Sequence, residues 1–184
     1  MPKDDERRLH RAVLAGDERA WRALYDAAFA GLDAYVLWRC AGLRDRADDV
    51  VQETWLTAVR RIGDFDPKRG RFIAWLRGIA ANVVRAQFRQ PRAVPLAGES
   101  HPMPPDEGER RREQSEQVAR ALICLPERYE QVLRAKYLDQ LSVEAIAAEW
   151  KETPKAIESL LSRARAAFRE AYVDDGEPHL SPKR

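Results

Sequence analysis

An all-α fold, two small helical domains joined by a proline-rich linker, is what this sequence predicts. Three observations carry it. Apolar residues recur at helical spacing along nearly the whole chain, strand-like alternation is absent, and one long interruption divides the pattern. The 184 residues suffice for one ordinary domain or two small ones. The interruption, residues 90–108, holds five prolines and two glycines with little apolar content. Such composition reads as an extended or disordered connector. The expected division is a first domain over 6–90, a linker over 91–111, a second domain over 112–173 and a disordered tail over 174–184.

The first domain opens with a helical pair, 6–15 and 18–41, with Asp17 as the N-cap between them. A third helix spans 46–62 with Asp45 as its cap. Its inner side is Ala47, Val50, Val51, Thr54, Ala58 and Ile62. GDFDPKRGR then breaks the pattern with two glycines and a proline. A fourth helix, 72–88, follows with an inner stripe of Phe72, Leu76, Ile79, Val83 and Ala86. The second domain packs helices over 112–124, 126–138, 142–150 and 154–172. Pro126 and Pro154 suit first helical positions, and Ser142 and Thr153 are good N-caps. Two cores this small are thin, so partners are expected to contribute part of the stability.

Composition excludes several classes of function. Hydrophobic residues make up 45% and charged residues 34%, a globular mixture. No apolar run approaches the length of a bilayer span, and MPKDDERRLH lacks the apolar core of a signal peptide. The expectation is a cytoplasmic protein without membrane insertion. Cys40 and Cys124 lack CxxC partners and read as two reduced, buried thiols. His10, His101 and His179 show no ligand spacing. No phosphate-binding loop or nucleophile elbow is present, so no enzyme activity, catalytic residue, metal or cofactor is expected.

Charge is uneven. Residues 57–92 carry 9 Lys/Arg against 2 Asp/Glu, a net of +7, while residues 93–150 carry 7 against 11, a net of −4. Residues 71–90 contain no acid at all. A basic block beside an acidic one points to two different partners, one of them polyanionic.

Three surfaces follow. Helices 142–150 and 154–172, joined by a short turn, form a candidate helix-turn-helix. Val143, Ile146, Ala147 and Trp150 face inward from the first. Ile157, Leu161, Ala164 and Phe168 do so from the second, leaving Lys155, Ser159, Ser162 and Arg163 for base edges and phosphates. Around helix 72–88, Lys68, Arg69 and Arg71 crowd a loop that also holds Phe65 and Asp66, and Arg77, Asn82, Arg85 and Arg89 lie off the inner stripe. Cations with a nearby aromatic suit single-stranded DNA. Trp75 serves that surface or fills the core. Helix 46–62 offers Asp45, Asp49, Gln52, Glu53, Leu56 and Arg60 on its outer side, an apolar centre in a polar rim, which is how a protein contact is built.

The stretches ADDVVQETWLTAVRRIGDFDPKRGRFIAWLRGIAANVVRAQFR (47–89) and LPERYEQVLRAKYLDQLSVEAIAAEWKETPKAIESLLSRARAAFR (125–169) resemble regions 2 and 4 of bacterial RNA polymerase sigma factors. The proline-rich gap resembles the connector of the two-domain extracytoplasmic-function group. The resemblance implies a promoter-reading subunit with a region 2-like bundle and a region 4-like four-helix domain. Asp49, Gln52, Glu53, Leu56 and Arg60 would dock on the clamp coiled coil of core polymerase. Phe65, Asp66, Lys68, Arg69, Arg71, Trp75, Arg77, Asn82, Arg85 and Arg89 would melt and capture the −10 element, with Asn82 near a flipped base. Thr153, Lys155, Ala156, Glu158, Ser159, Ser162 and Arg163 would read the −35 element. The partners implied are core polymerase (clamp coiled coil and flap), promoter DNA and an anti-sigma factor. The linker would thread the RNA exit path, its Glu99, Asp106, Glu107 and Glu109 suiting a basic channel.

Two departures stand out. Lys151 occupies a turn position where the family often has Gly, and Glu158 and Leu160 stand where basic residues are frequent. The implied −35 preference is therefore unusual. A free-standing helix-turn-helix regulator is the alternative; it predicts dimerisation on a palindrome and leaves the Asp49–Gln52–Glu53 face without a role. A helical adaptor leaves the basic block unexplained.

Overall fold

A computed structural model of the chain describes residues 2–89 and 107–174. The expected linker up to residue 106 and the tail from residue 175 lie outside the described residues. Every regular element described is helical, and the chain divides into two compact units.

The first unit holds α1 (Lys3–Leu14), α2 (Glu18–Arg39), α3 (Arg44–Arg60), a single 3-10 turn (Ile62–Asp64) and α4 (Phe72–Arg89). Asp17 caps α2 as expected, its Oδ1 accepting from the N–H groups of Arg19 at 2.8 Å and Ala20 at 3.2 Å. α2 packs against α1, α3 and α4, and α3 packs against α4. Leu24, Leu32, Val36, Val50, Leu76 and Val84 are fully enclosed between them.

Two local expectations need correction here. α3 begins at Arg44, with Leu43 at the cap position and no side-chain cap, so Asp45 lies inside the first turn. There its carboxylate favours the helix dipole instead of bonding an orphan N–H. On α4 the buried residues are Phe72, Leu76, Ala80 and Val84, while Ile79 and Val83 are half-buried and Ala86 is exposed. α4 lies against both α2 and α3, so its covered face is wider than one stripe and is centred on Ala80.

The second unit holds α5 (Glu107–Cys124), α6 (Glu127–Tyr137), α7 (Val143–Trp150) and α8 (Pro154–Asp174). α8 is its packing centre and touches α5, α6 and α7. α5 starts inside the segment expected as linker. Its first turns need no apolar face: Glu107 and Glu109 suit the N-terminal dipole, and Arg111–Glu107 and Arg120–Glu116 pair one turn apart. Pro154 opens α8 as expected, whereas Pro126 sits one position before α6 with an extended ψ of 142°. Ser142 Oγ accepts from Ala145 N at 3.1 Å and Thr153 Oγ1 from Ala156 N at 3.2 Å, so both expected caps are in place.

The two thiols differ, contrary to the expectation of two buried ones. Cys40 is fully enclosed at the end of α2; Cys124 is exposed at the end of α5. Burial pushes the Cys40 thiol from 9.0 up to about 12, against the pull of Arg39 and Arg46. The unfolded chain therefore sheds this proton at lower pH than the folded one. The stability associated with the neutral thiol is intact below about pH 9 and is lost as pH rises toward 12. In folded protein a thiol reagent should modify Cys124 alone, with Cys40 reacting only after denaturant is added. The denaturation midpoint should fall above about pH 9 more steeply in the wild type than in Cys40→Ala, as measured by urea titrations across that range.

Candidate nucleic-acid interface

The outer side of α3 is as expected: Asp45, Asp49, Gln52, Glu53, Leu56 and Arg60 are all exposed, Leu56 at 45%. The surface beside it has no counterpart in the sequence pattern. Tyr25 and Phe29 from α2 and Val59 from α3 are also exposed, and with Val51, Trp55 and Leu56 they line an apolar groove edged by Asp33, Asp48 and Gln52. Tyr25 packs on Trp55 with ring centroids 4.6 Å apart. α2 is apolar on several sides, and its sequence does not tell which of its aromatics are covered.

On its other flank the α3 face meets α4. Asp49, Gln52, Glu53 and Leu56 share a groove with Asn82, Val83, Ala86 and Gln87. Asn82, expected with the loop residues, thus stands opposite the acidic-polar face. Its Oδ1 accepts from Arg85 Nη1 at 2.6 Å. The antiparallel packing of α3 and α4 about the loop brings together residues about equally far from the turn, a pairing that could have been read from the sequence.

The loop is built as a tight turn. Asp66 Oδ1 accepts from Lys68 N at 2.9 Å, and its carbonyl accepts from Arg69 N at 3.0 Å. Lys68 and Arg69 are exposed on this turn, as is Asp66. Phe65 is not: at 3% exposure it points into the core, 5.2 Å from the His10 ring and 5.3 Å from Phe72. It plugs the unit because the 3-10 turn before it directs the chain inward. Trp75 is half-buried and packs on Phe65 at 5.5 Å and Phe72 at 5.8 Å, which places its contacts in the core.

The basic residues also separate into two kinds. Arg85 and Arg89 are exposed on α4. Arg71 is half-buried, and its Nε donates to Glu6 Oε1 at 2.8 Å. Arg77 donates to the Gly31 carbonyl at 3.4 Å and stacks over Tyr35 at 5.4 Å. Both guanidinium groups bind the protein itself, where the sequence pattern set them on an outward basic face. Glu6 and His10, buried on α1, are the site-supporting residues that sequence reasoning missed.

In the second unit α7, residues 151–153 and α8 make the helix-turn-helix. Lys151 has φ 56° and ψ 43°, the left-handed region, and Glu152 N donates to the Ala147 carbonyl at 2.9 Å. Arg128 of α6 pairs with Glu152 and lies over the Trp150 ring at 5.6 Å, tying the turn down. Glu144, in the first turn of α7, is held below the usual carboxylate range by its own backbone N–H and by Ser142. Thr153, Lys155, Glu158, Ser159, Ser162 and Arg163 are exposed and Ala156 is half-buried. Leu160 is 4% exposed and belongs to the core with Ile157, Leu161 and Ala164. Its departure from the family pattern therefore leaves the outer face unaltered, and Glu158 is the one acid on that face.

The family description Sigma-70 region 2 matches residues 28–93, and Sigma-70, region 4 matches residues 115–168. The chain is 31% identical over 159 residues to the ECF RNA polymerase sigma factor EcfG of Rhodopseudomonas palustris, covering 85% of this chain and 87% of that protein. It is 30% identical over 168 residues to BldN of Streptomyces coelicolor, covering 88% of this chain and 63% of BldN. With SigW of Bacillus subtilis the identity is 24% over 177 residues, covering 88% and 94%. The solved structure of CnrH in complex with the cytosolic domain of CnrY aligns with a TM-score of 0.52 at 28% identity, covering 94% of this chain and 99% of that one.

A β-carbon at a left-handed turn position costs about 1 kcal/mol. Lys151→Gly should accordingly raise the stability of the second unit by about 1 kcal/mol, read as a higher urea midpoint of its far-UV signal.

Proposed function

The chain belongs to the extracytoplasmic-function group of the sigma-70 family, and it is a sigma factor directing promoter-specific transcription initiation; from that premise we propose how its surfaces divide the task. The observation that carries the proposal is one helical hairpin, α3–loop–α4, bearing an acidic-polar face on one arm and a basic, acid-free arm on the other. In this reading Asp49, Gln52, Glu53, Leu56 and Arg60 dock on the clamp coiled coil of core polymerase. Lys68, Arg69, Arg85 and Arg89 hold the phosphates of the melted −10 strand. Asn82 receives an unstacked base at the edge of the groove it shares with the docking face.

Basic side chains aimed at phosphates supply sequence-independent affinity, and a flipped base read on its edge supplies selectivity. Arg71, Arg77 and Phe65 support this surface from within. In the second unit Lys155, Glu158, Ser159, Ser162 and Arg163 enter the major groove at the −35 element. Glu158 is suited to accept from a cytosine amino group. This unit also meets the polymerase flap. The work is binding and strand separation, with no bond made or broken by this chain, and it takes place in the cytoplasm. An anti-sigma factor is the expected regulator. Among the described residues no helix is long and apolar enough to cross a membrane.

Run-off transcription with core polymerase tests the docking assignment. Asp49→Ala/Gln52→Ala/Glu53→Ala should lower output at least about tenfold, one interfacial hot spot's worth, and should compete poorly for core. Undiminished transcription by the triple variant would remove the assignment. For the loop, Lys68→Ala/Arg69→Ala should reduce the salt slope of holoenzyme–promoter binding by about 1 for each phosphate no longer neutralised, measured by titration at several salt concentrations.

A further inference from the structure

α1 precedes the region 2 match, which begins at residue 28. Its sequence, KDDERRLHRAVL, is mostly charged. Among the described residues, the only side chains it fully buries are two polar ones four residues apart, Glu6 at 3% and His10 at 7% exposure. Residues at this spacing share one face of a helix. That face lies against the loop between α3 and α4 and holds it at both ends.

At the first end, His10 Nε2 lies 3.2 Å from the Ile62 carbonyl, and the imidazole meets Phe65 edge to face at 5.2 Å. At the second, the Glu6 carboxylate takes Arg71 Nε at 2.8 Å with one oxygen and the Phe72 N–H at 3.2 Å with the other. Phe72 is the first residue of α4. The carboxylate therefore fixes the side chain that ends the loop and the backbone that starts the helix. The exposed turn carrying Asp66, Lys68 and Arg69 hangs between these two anchors.

Burying a carboxylate is a poor way to gain stability, because an apolar contact of the same size would do as well or better. A carboxylate with two directed partners does what an apolar contact cannot: it selects one position for the groups it binds. We infer that α1 is a brace for the strand-capturing loop, with Glu6 and His10 as positioning residues that set the geometry in which Lys68, Arg69 and Asn82 meet the −10 strand. The inference rests on the reading of that loop as the −10 element of the site. Neither residue touches DNA or polymerase; each acts through the loop ends. Loss of the brace leaves docking and −35 reading in place and blurs the discrimination of −10 bases.

The test reconstitutes core polymerase with the full chain and transcribes a barcoded pool of linear templates randomised upstream of the transcript. Wild type, Glu6→Gln, His10→Phe and the loop control Lys68→Ala/Arg69→Ala are compared, and core affinity is measured by competition. His10→Phe keeps an aromatic against Phe65 but loses the bond to Ile62, so it decides the matter if Glu6→Gln does not fold. The brace variants should keep core affinity and −35 preference within about twofold and should lower the ratio of favoured to disfavoured output at −10 positions about tenfold, the worth of one base contact. Unchanged −10 preference in variants that fold would overturn the brace. A parallel fall of −10 preference, −35 preference and core affinity would overturn it too, since that is what mere destabilisation produces. If the loop control leaves overall template output intact, the reading of the loop itself fails and the brace falls with it, a result distinct from a sensitive loop with insensitive brace variants.

Discussion

Phe72 is the point on which the first unit closes. Four aromatic rings converge on it: Trp21 of α2 at 6.3 Å, Trp55 of α3 at 6.4 Å, Phe65 of the loop at 5.3 Å and Trp75 of α4 itself at 5.8 Å. It is 1% exposed. Edge-to-face and offset pairs of this kind add to the burial of the rings, and phenylalanine truncations at enclosed sites cost about 3–5 kcal/mol. That is a large share of the roughly 5–15 kcal/mol that holds an ordinary domain together. A helical unit of this size has little else to spare. Because Phe72 opens α4 and Phe65 ends the 3-10 turn, the ring cluster also fixes where the chain leaves the core and where it returns. The basic turn owes its position to this hydrophobic knot beneath it.

Much of the fold is legible in the sequence because its signals are local. Asp17, Ser142 and Thr153 each bond an N–H two or three residues ahead, and residues that near are all a capping argument needs. The inner side of α3 from Ala47 to Ala58 follows from period alone, whereas Ile62, expected on the same side, falls in the 3-10 turn beyond the helix and is half-buried. The features that sequence misplaces depend on neighbours. The start of α5 carries Gly108 and almost no apolar residue, yet charge pairs along its axis suffice. The covered faces of α4 and α8 are wider than one stripe, since each packs on more than one helix, and this brings Ala80 and Leu160 inside.

The candidate site is legible in outline and not in its supports. An aromatic in a basic loop suits a stacking platform or a plug equally well. Only the fold decides for Phe65, through partners on α1. The contacts that decide span 52 residues from His10 to Ile62 and 65 from Glu6 to Arg71, and no period or cap reports on pairs so distant. The same holds for Arg77, whose carbonyl and ring partners lie on α2. The exposed polar residues of α3 and of the α8 outer face are found because solvent exposure follows directly from amphipathic period.

The apolar groove beside the acidic-polar face of α3 has a consequence for the life of the unassembled chain. Tyr25, Phe29, Leu56 and Val59 stand in water, each between 38% and 51% exposed. A unit that leaves such rings uncovered forgoes part of the burial energy available to it. A ligand that binds only the folded state adds stability as RT ln(1 + [L]/Kd), about 2.7 kcal/mol at a concentration one hundred times Kd. For a thin helical unit this is a sizeable fraction of the total, and a change of about 1–2 kcal/mol alters cellular abundance several-fold by changing exposure to proteases. The concentration of its partners would thereby set how long each molecule of this subunit persists.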